Sequence, residues 1–188
     1  FGANGQIPND PSNPAVRTGF INGQSVLFEG ITGTLNYTTS LGGIGLPGAV
    51  SLGGDMLYVK RRIEDITVVV PQRSDGIVDD PEFSGQARVS YQHDNWGLAT
   101  FVNYTGEQLI SRFNRGPSPN DAREFDQYND FVTVNANIFF RTDDNFRINL
   151  AVTNLFDRIG QGYFGFIIPG SINDEIGRRF SVSVAKEF

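Results

Sequence analysis

The 188-residue chain has no cysteine and a single histidine, and no uninterrupted apolar run in it approaches the roughly 18 residues that a membrane-spanning helix needs. Without thiols it builds neither a disulfide framework nor a thiolate metal site. His93 alone cannot hold a metal, and no Gly-x-Ser-x-Gly turn accompanies it, so no enzyme constellation, metal or cofactor is expected. Basic charge is not in excess either. The net charge is −6, and the acids fall in short clusters such as Glu64-Asp65, Asp79-Asp80-Pro81-Glu82 and Asp143-Asp144, which argues against nucleic acid as a partner. The opening Phe1-Gly2-Ala3-Asn4-Gly5 has neither a basic start nor an apolar signal core, so the N-terminus reads as processed or truncated.

What the chain does have is alternation. Ile31, Gly33, Leu35 and Tyr37 share one face while Thr32, Thr34, Asn36 and Thr38 share the other, because successive side chains of a strand point oppositely. The same period sets Val50, Leu52, Gly54, Met56 and Tyr58 against Ser51, Gly53 and Asp55, then Ala87, Val89 and Tyr91 against Gln86, Arg88, Ser90 and Gln92. It is weaker from Trp96 to Tyr104, where Gly97, Ala99, Phe101 and Asn103 stand behind. It returns in Val132–Phe140 against Thr133, Asn135 and Asn137, in Phe146–Val152 against Arg147, Asn149 and Thr153, and in Phe180–Val184 against Arg179, Ser181, Ser183 and Ala185. About seven strands are predicted.

The links alternate in length. Short ones lie at Gln92–Asn95 and Arg141–Asn145, with a Gly-rich one at Thr39–Gly48, and long polar ones at Lys60–Glu82, Thr105–Asp130 and Asp157–Gly177. Outer-membrane barrels have short periplasmic turns and longer extracellular loops, so this rhythm assigns an orientation. Tyr37, Tyr91, Trp96, Phe140, Phe146 and Phe188 then line the periplasmic edge, and Tyr58, Tyr104 and Phe180 the outer edge, where aromatics favour both membrane interfaces. Between these girdles the outward column carries no charge until Lys186, which near an interface costs about 0–1 kcal/mol rather than the ~2–4 of the midplane and can snorkel. A soluble β-sandwich shows the same period with its apolar face turned inward, and periodicity does not separate the two. Aromatics at both strand ends, the rhythm of the links and strands of about 9–11 residues favour the barrel.

The stretch Ile148-Asn149-Leu150-Ala151-Val152-Thr153-Asn154-Leu155-Phe156-Asp157, followed after a loop by Gly177-Arg178-Arg179-Phe180-Ser181-Val182-Ser183-Val184 and a terminal Phe188, resembles the last hairpin of TonB-dependent receptors. Weaker similarity reaches back through Gly30–Thr38 and Val50–Tyr58, so the likeness covers most of the chain. Lys186 departs from it, since the family has an aromatic or apolar residue there. The resemblance implies an all-β fold of antiparallel, up-and-down transmembrane strands, the final seven or so of a barrel of about 22. Residues 1–188 would be the C-terminal part of the barrel domain, without the plug domain and signal peptide. It also implies the partners: the bilayer and its lipopolysaccharide, the rest of the barrel and plug, the inner-membrane TonB energy-coupling complex, and the barrel-assembly machinery engaging the C-terminal strand. The implied function is energy-coupled import of a scarce solute such as a ferric siderophore, another metal chelate or an oligosaccharide.

Other motifs have plainer readings. Gly43-Ile44-Gly45-Leu46-Pro47-Gly48 has the letters of a dinucleotide fingerprint, but a strand follows where a helix N-terminus is needed, so a turn is expected. Lys60-Arg61-Arg62 lies just beyond the outer girdle, where it could meet lipopolysaccharide phosphates or simply end a strand in solvent. Arg112, Arg115 and Arg123 share one long loop and could bind an anionic ligand such as a chelate, although Asp121, Glu124 and Asp126 are interleaved with them. In the apolar loop Gln161–Gly170, Tyr163 and Phe164 are candidate ligand contacts, unless the segment only extends the last hairpin. Two rival functions stay open at this point: a passive porin or channel, and a soluble or surface-displayed β-domain acting in adhesion.

Overall fold

Residues 25–65, 72–112, 125–142, 146–161, 174 and 176–186 are described in the computed structural model. The alternating segments form seven long strands: β1 (Ser25–Ser40), β2 (Ala49–Asp65), β4 (Phe83–His93), β5 (Trp96–Thr105), β8 (Phe131–Arg141), β9 (Phe146–Thr153) and β10 (Arg179–Lys186). Each pairs antiparallel with the next in chain order, so the sheet is an up-and-down meander. The fold is all-β and antiparallel, as the alternation predicts. Three two-residue strands, β3 (Gln72–Arg73), β6 (Gln108–Leu109) and β7 (Gln127–Tyr128), lie in the long links. The sheet is open, with β1 and β10 as its edges. Among the described residues no helix is long and apolar enough to cross a membrane.

Strand length departs from the expectation. β1 and β2 run for 16 and 17 residues, so Lys60, Arg61 and Arg62 continue β2 where a loop was expected to begin. β9 and β10 are shorter, at 8 residues each. Turn chemistry sets the lower ends. The β1–β2 link is a 3-10 turn, Leu41–Ile44, capped by the Ser40 hydroxyl on the Gly42 N–H and left through Gly45 at φ 77. Gly48 follows at φ 88, and a Cβ there would stand 2.5 Å from the Gln92 carbonyl oxygen and 2.9 Å from the Tyr91 ring. Only glycine fits that position. The Tyr91 hydroxyl donates to Pro47 O at 2.9 Å, tying turn to strand. β4 and β5 meet at His93↔Trp96 across Asp94-Asn95, with Asp94 in the left-handed region at φ 41.

Register puts the strands on a slope. The row of direct partners that starts at Tyr37 passes Leu52, Val89, Thr100, Ala136 and Val152 and ends at Phe180. Tyr37 stands near the turn end of β1, whereas Phe180 stands near the loop end of β10. From this row Tyr58 is six residues above Leu52, and Phe146 six residues below Val152. Both aromatic borders thus climb six residues across five strand steps. At about 3.3 Å per residue and about 4.8 Å between strands, that is a tilt of about 40°, the slope of a closed barrel's strands.

Candidate functional site

The sheet presents two chemically opposite faces. Direct partners in an antiparallel pair share a face, so the register extends each strand's apolar column across the whole sheet. Ile31, Tyr58 and Phe83 form one row; Gly33, Met56, Gly85, Tyr104 and Val132 the next; and Tyr91, Leu98, Ile138, Leu150 and Val182 a lower one. This face holds no Asp, Glu or Arg, and Lys186 is its one ammonium, seated 4.9 Å from the Phe146 ring. It lies bare: Ile31 is 63% exposed, Leu35 61%, Val182 68% and Val184 62%. No second layer covers it among the described residues, whose buried apolar side chains are only Val59 and Tyr128.

Aromatics border this face above and below. At the lower edge Tyr91 packs on Trp96 with centroids 5.2 Å apart, and Trp96 pairs with Phe140. At the upper edge Tyr58 pairs with Phe83, whose ring meets Tyr104 edge-on at 5.5 Å. Phe83, which the sequence reading places in neither border, therefore belongs to the upper border with Tyr58, Tyr104 and Phe180. Phe188, predicted for the lower edge, lies outside the described residues. Above Tyr58 the face changes character at a bulge between Glu29 and Gly30. There Glu29 takes Arg61 at 2.6 Å and Lys60 at 3.7 Å, immediately past the border. Arg62 pairs with Asp80 and Glu64. The basic triplet is thus matched by acids rather than free.

The opposite face is polar and cross-linked. Asp55 accepts from Thr34 Oγ1 at 2.9 Å and from Gln86 Nε2 at 3.3 Å, Thr38 and Ser51 hydroxyls lie 2.9 Å apart, and Asn137 donates to Asn149 at 2.6 Å. Asp55 is its one acid between the bulge and the lower turns, against Arg88, Arg141, Arg147 and Arg179. The chain as a whole is acidic, yet this face is basic.

The two long links after β2 and β5 interlock above the upper border. Asp75, with no exposed surface, is gripped by Arg73 at 2.8 Å and Arg112 at 2.7 Å and accepts the Arg62 N–H at 2.8 Å. Burial works against its charge, but the Arg73 hydrogen bond, the Arg62 N–H and the two guanidinium charges outweigh it and hold the carboxyl below the usual range. Arg112 also donates to the Asp75 carbonyl and meets Glu82 at 3.4 Å. Leu109 N–H donates to Gly76 O at 2.7 Å, and β6 pairs with β7 around Tyr128, on which Val78, Ile110 and Phe125 pack. Arg112, predicted as a ligand contact, is therefore part of the clasp between two loops. Arg115, Arg123, Tyr163 and Phe164, the other predicted contacts, lie outside the described residues.

Asn154-Leu155-Phe156-Asp157 forms a second clasp. Asn154 turns through φ 53 and is 1% exposed; its side chain accepts the Arg158 N–H at 2.9 Å and donates to Arg158 O at 2.8 Å. Asp157 accepts the Arg178 N–H at 2.7 Å, next to Gly177 at φ 76, where a Cβ would stand 2.5 Å from the same carboxylate. Asp174 takes a two-pronged bond from Arg179 at 3.0 and 3.2 Å plus the N–H groups of Ile176 and Gly177. Partial burial opposes its ionisation most, yet these donors together keep its carboxyl below the ordinary value. The residues that carried the family likeness thus join the start of β10 to the end of β9. Among the described residues no cluster of His, Asp and Glu is arranged to hold a metal ion.

No family model matches the chain, and no curated protein matches it. Among solved structures it is similar to a copper transporter, OprC, at 16% identity and a TM-score of 0.40, over 88% of this chain and 29% of that one. The chain therefore spans less than a third of that transporter's length. The likeness is coarse.

Proposed function

We propose that this chain is part of the wall of an outer-membrane β-barrel transporter that works as TonB-dependent receptors do, importing a scarce solute at the expense of inner-membrane energy. One observation supports the reading: an exposed apolar face, whose one charge is Lys186 beside Phe146 at the lower border, spans all seven long strands between two aromatic borders that climb at barrel tilt. Such a face is costly in water and favourable in hydrocarbon, at about 25 cal/mol per Å² of apolar surface removed from water. The polar face then lines the lumen, and the interlocked loops lie outside the cell. In this reading ferric siderophores, other metal chelates or oligosaccharides are the cargo, with Arg115, Arg123, Tyr163 and Phe164 as loop contacts. The bilayer, lipopolysaccharide, plug, TonB complex and assembly machinery are its partners.

Two measurements on the intact protein test this. Membrane fractionation with heat-modifiable migration in detergent should give a folded barrel that partitions with the outer membrane; a protein recovered from plain buffer without detergent refutes the barrel. Uptake of candidate chelates should stop when the inner-membrane coupling complex is removed. Uptake that persists identifies a passive channel instead.

A further inference from the structure

One glycine on the polar face has no backbone reason to be there. Gly53 lies in the middle of β2, paired with Asn36 of β1 and Arg88 of β4. Glycine inside a strand weakens it, and it marks a bulge, a corner, or a place where another backbone or a ligand comes close. The φ of Gly53 is negative, and the ladder to each neighbouring strand runs through it pair by pair without a shift. A Cβ there would stand 3.3 Å from Arg88 Nη2 and 3.5 Å from Arg88 Nε and Asn36 Oδ1, which are movable side-chain tips, with no backbone atom nearer. Gly85 differs, since its Cβ would meet Asp55 O at 3.0 Å. Close approach by a ligand is the reason left for Gly53.

The missing side chain opens a recess of about 110 Å³ on the polar face, beside Phe101 and rimmed by Asn36, Asp55, Gln86 and Arg88. Phe101 pairs directly with Arg88 and is 38% exposed, an aromatic ring on a face that is otherwise polar around it. A site that encloses a whole drug-sized ligand takes roughly 300–1,000 Å³, so a single ring of a longer molecule enters here. Sharing Asp55 and Gln86 with it, a shallower trough of about 490 Å³ continues up the same face past Thr34, Ser84 and Asn103.

The rim mixes donors with acceptors. Arg88 only donates, Asp55 only accepts, and Asn36 and Gln86 do both. Thr34 Oγ1 and Gln86 Nε2 fix the Asp55 carboxylate through separate oxygens, at 2.9 and 3.3 Å. An oxyanion asks for donors alone, and Asp55 opposes it. A hard metal ion asks for several oxygen ligands of negative charge, and the rim offers one carboxylate. Hydroxyl groups donate and accept at once, which suits a mixed rim whose one cation and one anion balance. The C–H face of a sugar ring suits Phe101.

We propose that this recess is a subsite for one ring of a neutral oligosaccharide, whose neighbouring units lie along the trough. The subsite rests on the reading of the polar face as the lumen wall, and among the cargo classes of that reading it selects the saccharide.

The test uses the intact protein in detergent, first on an array of short neutral oligosaccharides and then by calorimetry with the strongest binder, with citrate titrated in parallel. Saturable saccharide binding is expected, weakened roughly tenfold or more by Gly53→Leu, which fills the recess, and by Phe101→Ala. It should be unchanged by Ala151→Leu, which adds bulk to the same face two strands beyond Phe101. No binding on the array overturns the subsite, as does equal binding by the parent and Gly53→Leu. Citrate binding that Gly53→Leu removes also overturns it, because the recess is then an anion site. Heat-modifiable migration shows whether each variant keeps its fold; if Gly53→Leu does not, Phe101→Ala decides. Uptake separates the two readings: saccharide binding lost in Gly53→Leu, with uptake that persists without the coupling complex, counts against energy coupling and leaves the subsite standing.

Discussion

Arginine placed along the apolar column of β8 should cost stability in proportion to its depth. That column runs Val132, Val134, Ala136, Ile138, Phe140, from the upper aromatic border to the lower one. Ala136 stands midway, directly between Thr100 and Val152, neither of which can pair with a cation. In a bilayer an arginine at the midplane costs about 2–4 kcal/mol and one near either interface about 0–1. At 1.4 kcal/mol per factor of ten, Ala136→Arg should lower the folded-to-unfolded ratio by roughly 30- to 700-fold, while Val132→Arg stays within about fivefold. Asn137→Arg, on the polar face of the same strand, should shift stability by about 0.5 kcal/mol or less. Denaturant titration of the intact protein folded into vesicles measures all three, and thicker-chain lipid should broaden the costly zone. A soluble core would penalise arginine by local packing without regard to lipid thickness. A flat profile, or one indifferent to chain length, refutes the assignment of this face to lipid.

Other outcomes follow from single contacts. Gly48→Ala should destabilise the β1–β2–β4 corner by about 1–3 kcal/mol, since its φ of 88 and the 2.5 Å approach to Gln92 O leave no room for a Cβ; denaturant melts against Gly43→Ala, which meets nothing within 4 Å, measure it. Asp75→Ala should release the loop clasp at about 3 kcal/mol, the low end for breaking a buried ion pair because Arg73 is 47% exposed, and hydrogen exchange should rise in residues 72–82 and 108–112 while the long strands stay protected. Because the Asp75 carboxyl lies below its unfolded value of about 3.9, the clasp keeps its full strength above about pH 5 and weakens only as pH falls through the folded value. Exchange in those loops should therefore show no opening between pH 6 and pH 8, referenced to the chemical rate. Arg179→Gln should loosen the second clasp and raise exchange at Ile176 and Gly177, whose N–H groups share the Asp174 carboxylate with that guanidinium. Unchanged exchange there would mean that Asp157 holds the turn alone.

The alternation of Ile31 with Thr32 or Leu150 with Asn149 determined the seven long strands and which side chains share a face, because an extended chain repeats every two residues; the two-residue strands β3, β6 and β7 are too short to carry that signal. Gly48 and the Gln92–Asn95 link that holds Asp94 marked turns for the same local reason. What the sequence could not settle was anything that depends on register. That Tyr37 and Phe180 lie on one row, and so that the strands slope, emerges only when partners are paired. The fate of charge is likewise tertiary: Arg112 looks like Arg115 in the sequence, but Asp75, brought in from a different loop, consumes it. Arg141 and Arg147 lie six residues apart in the sequence and only the hairpin sets them face to face, while Asp75 is closed over by Arg112, 37 residues away, as well as by its near neighbour Arg73. Period and turn preference are properties of neighbouring residues, whereas pairing of charges is decided by which strands and loops the fold makes adjacent.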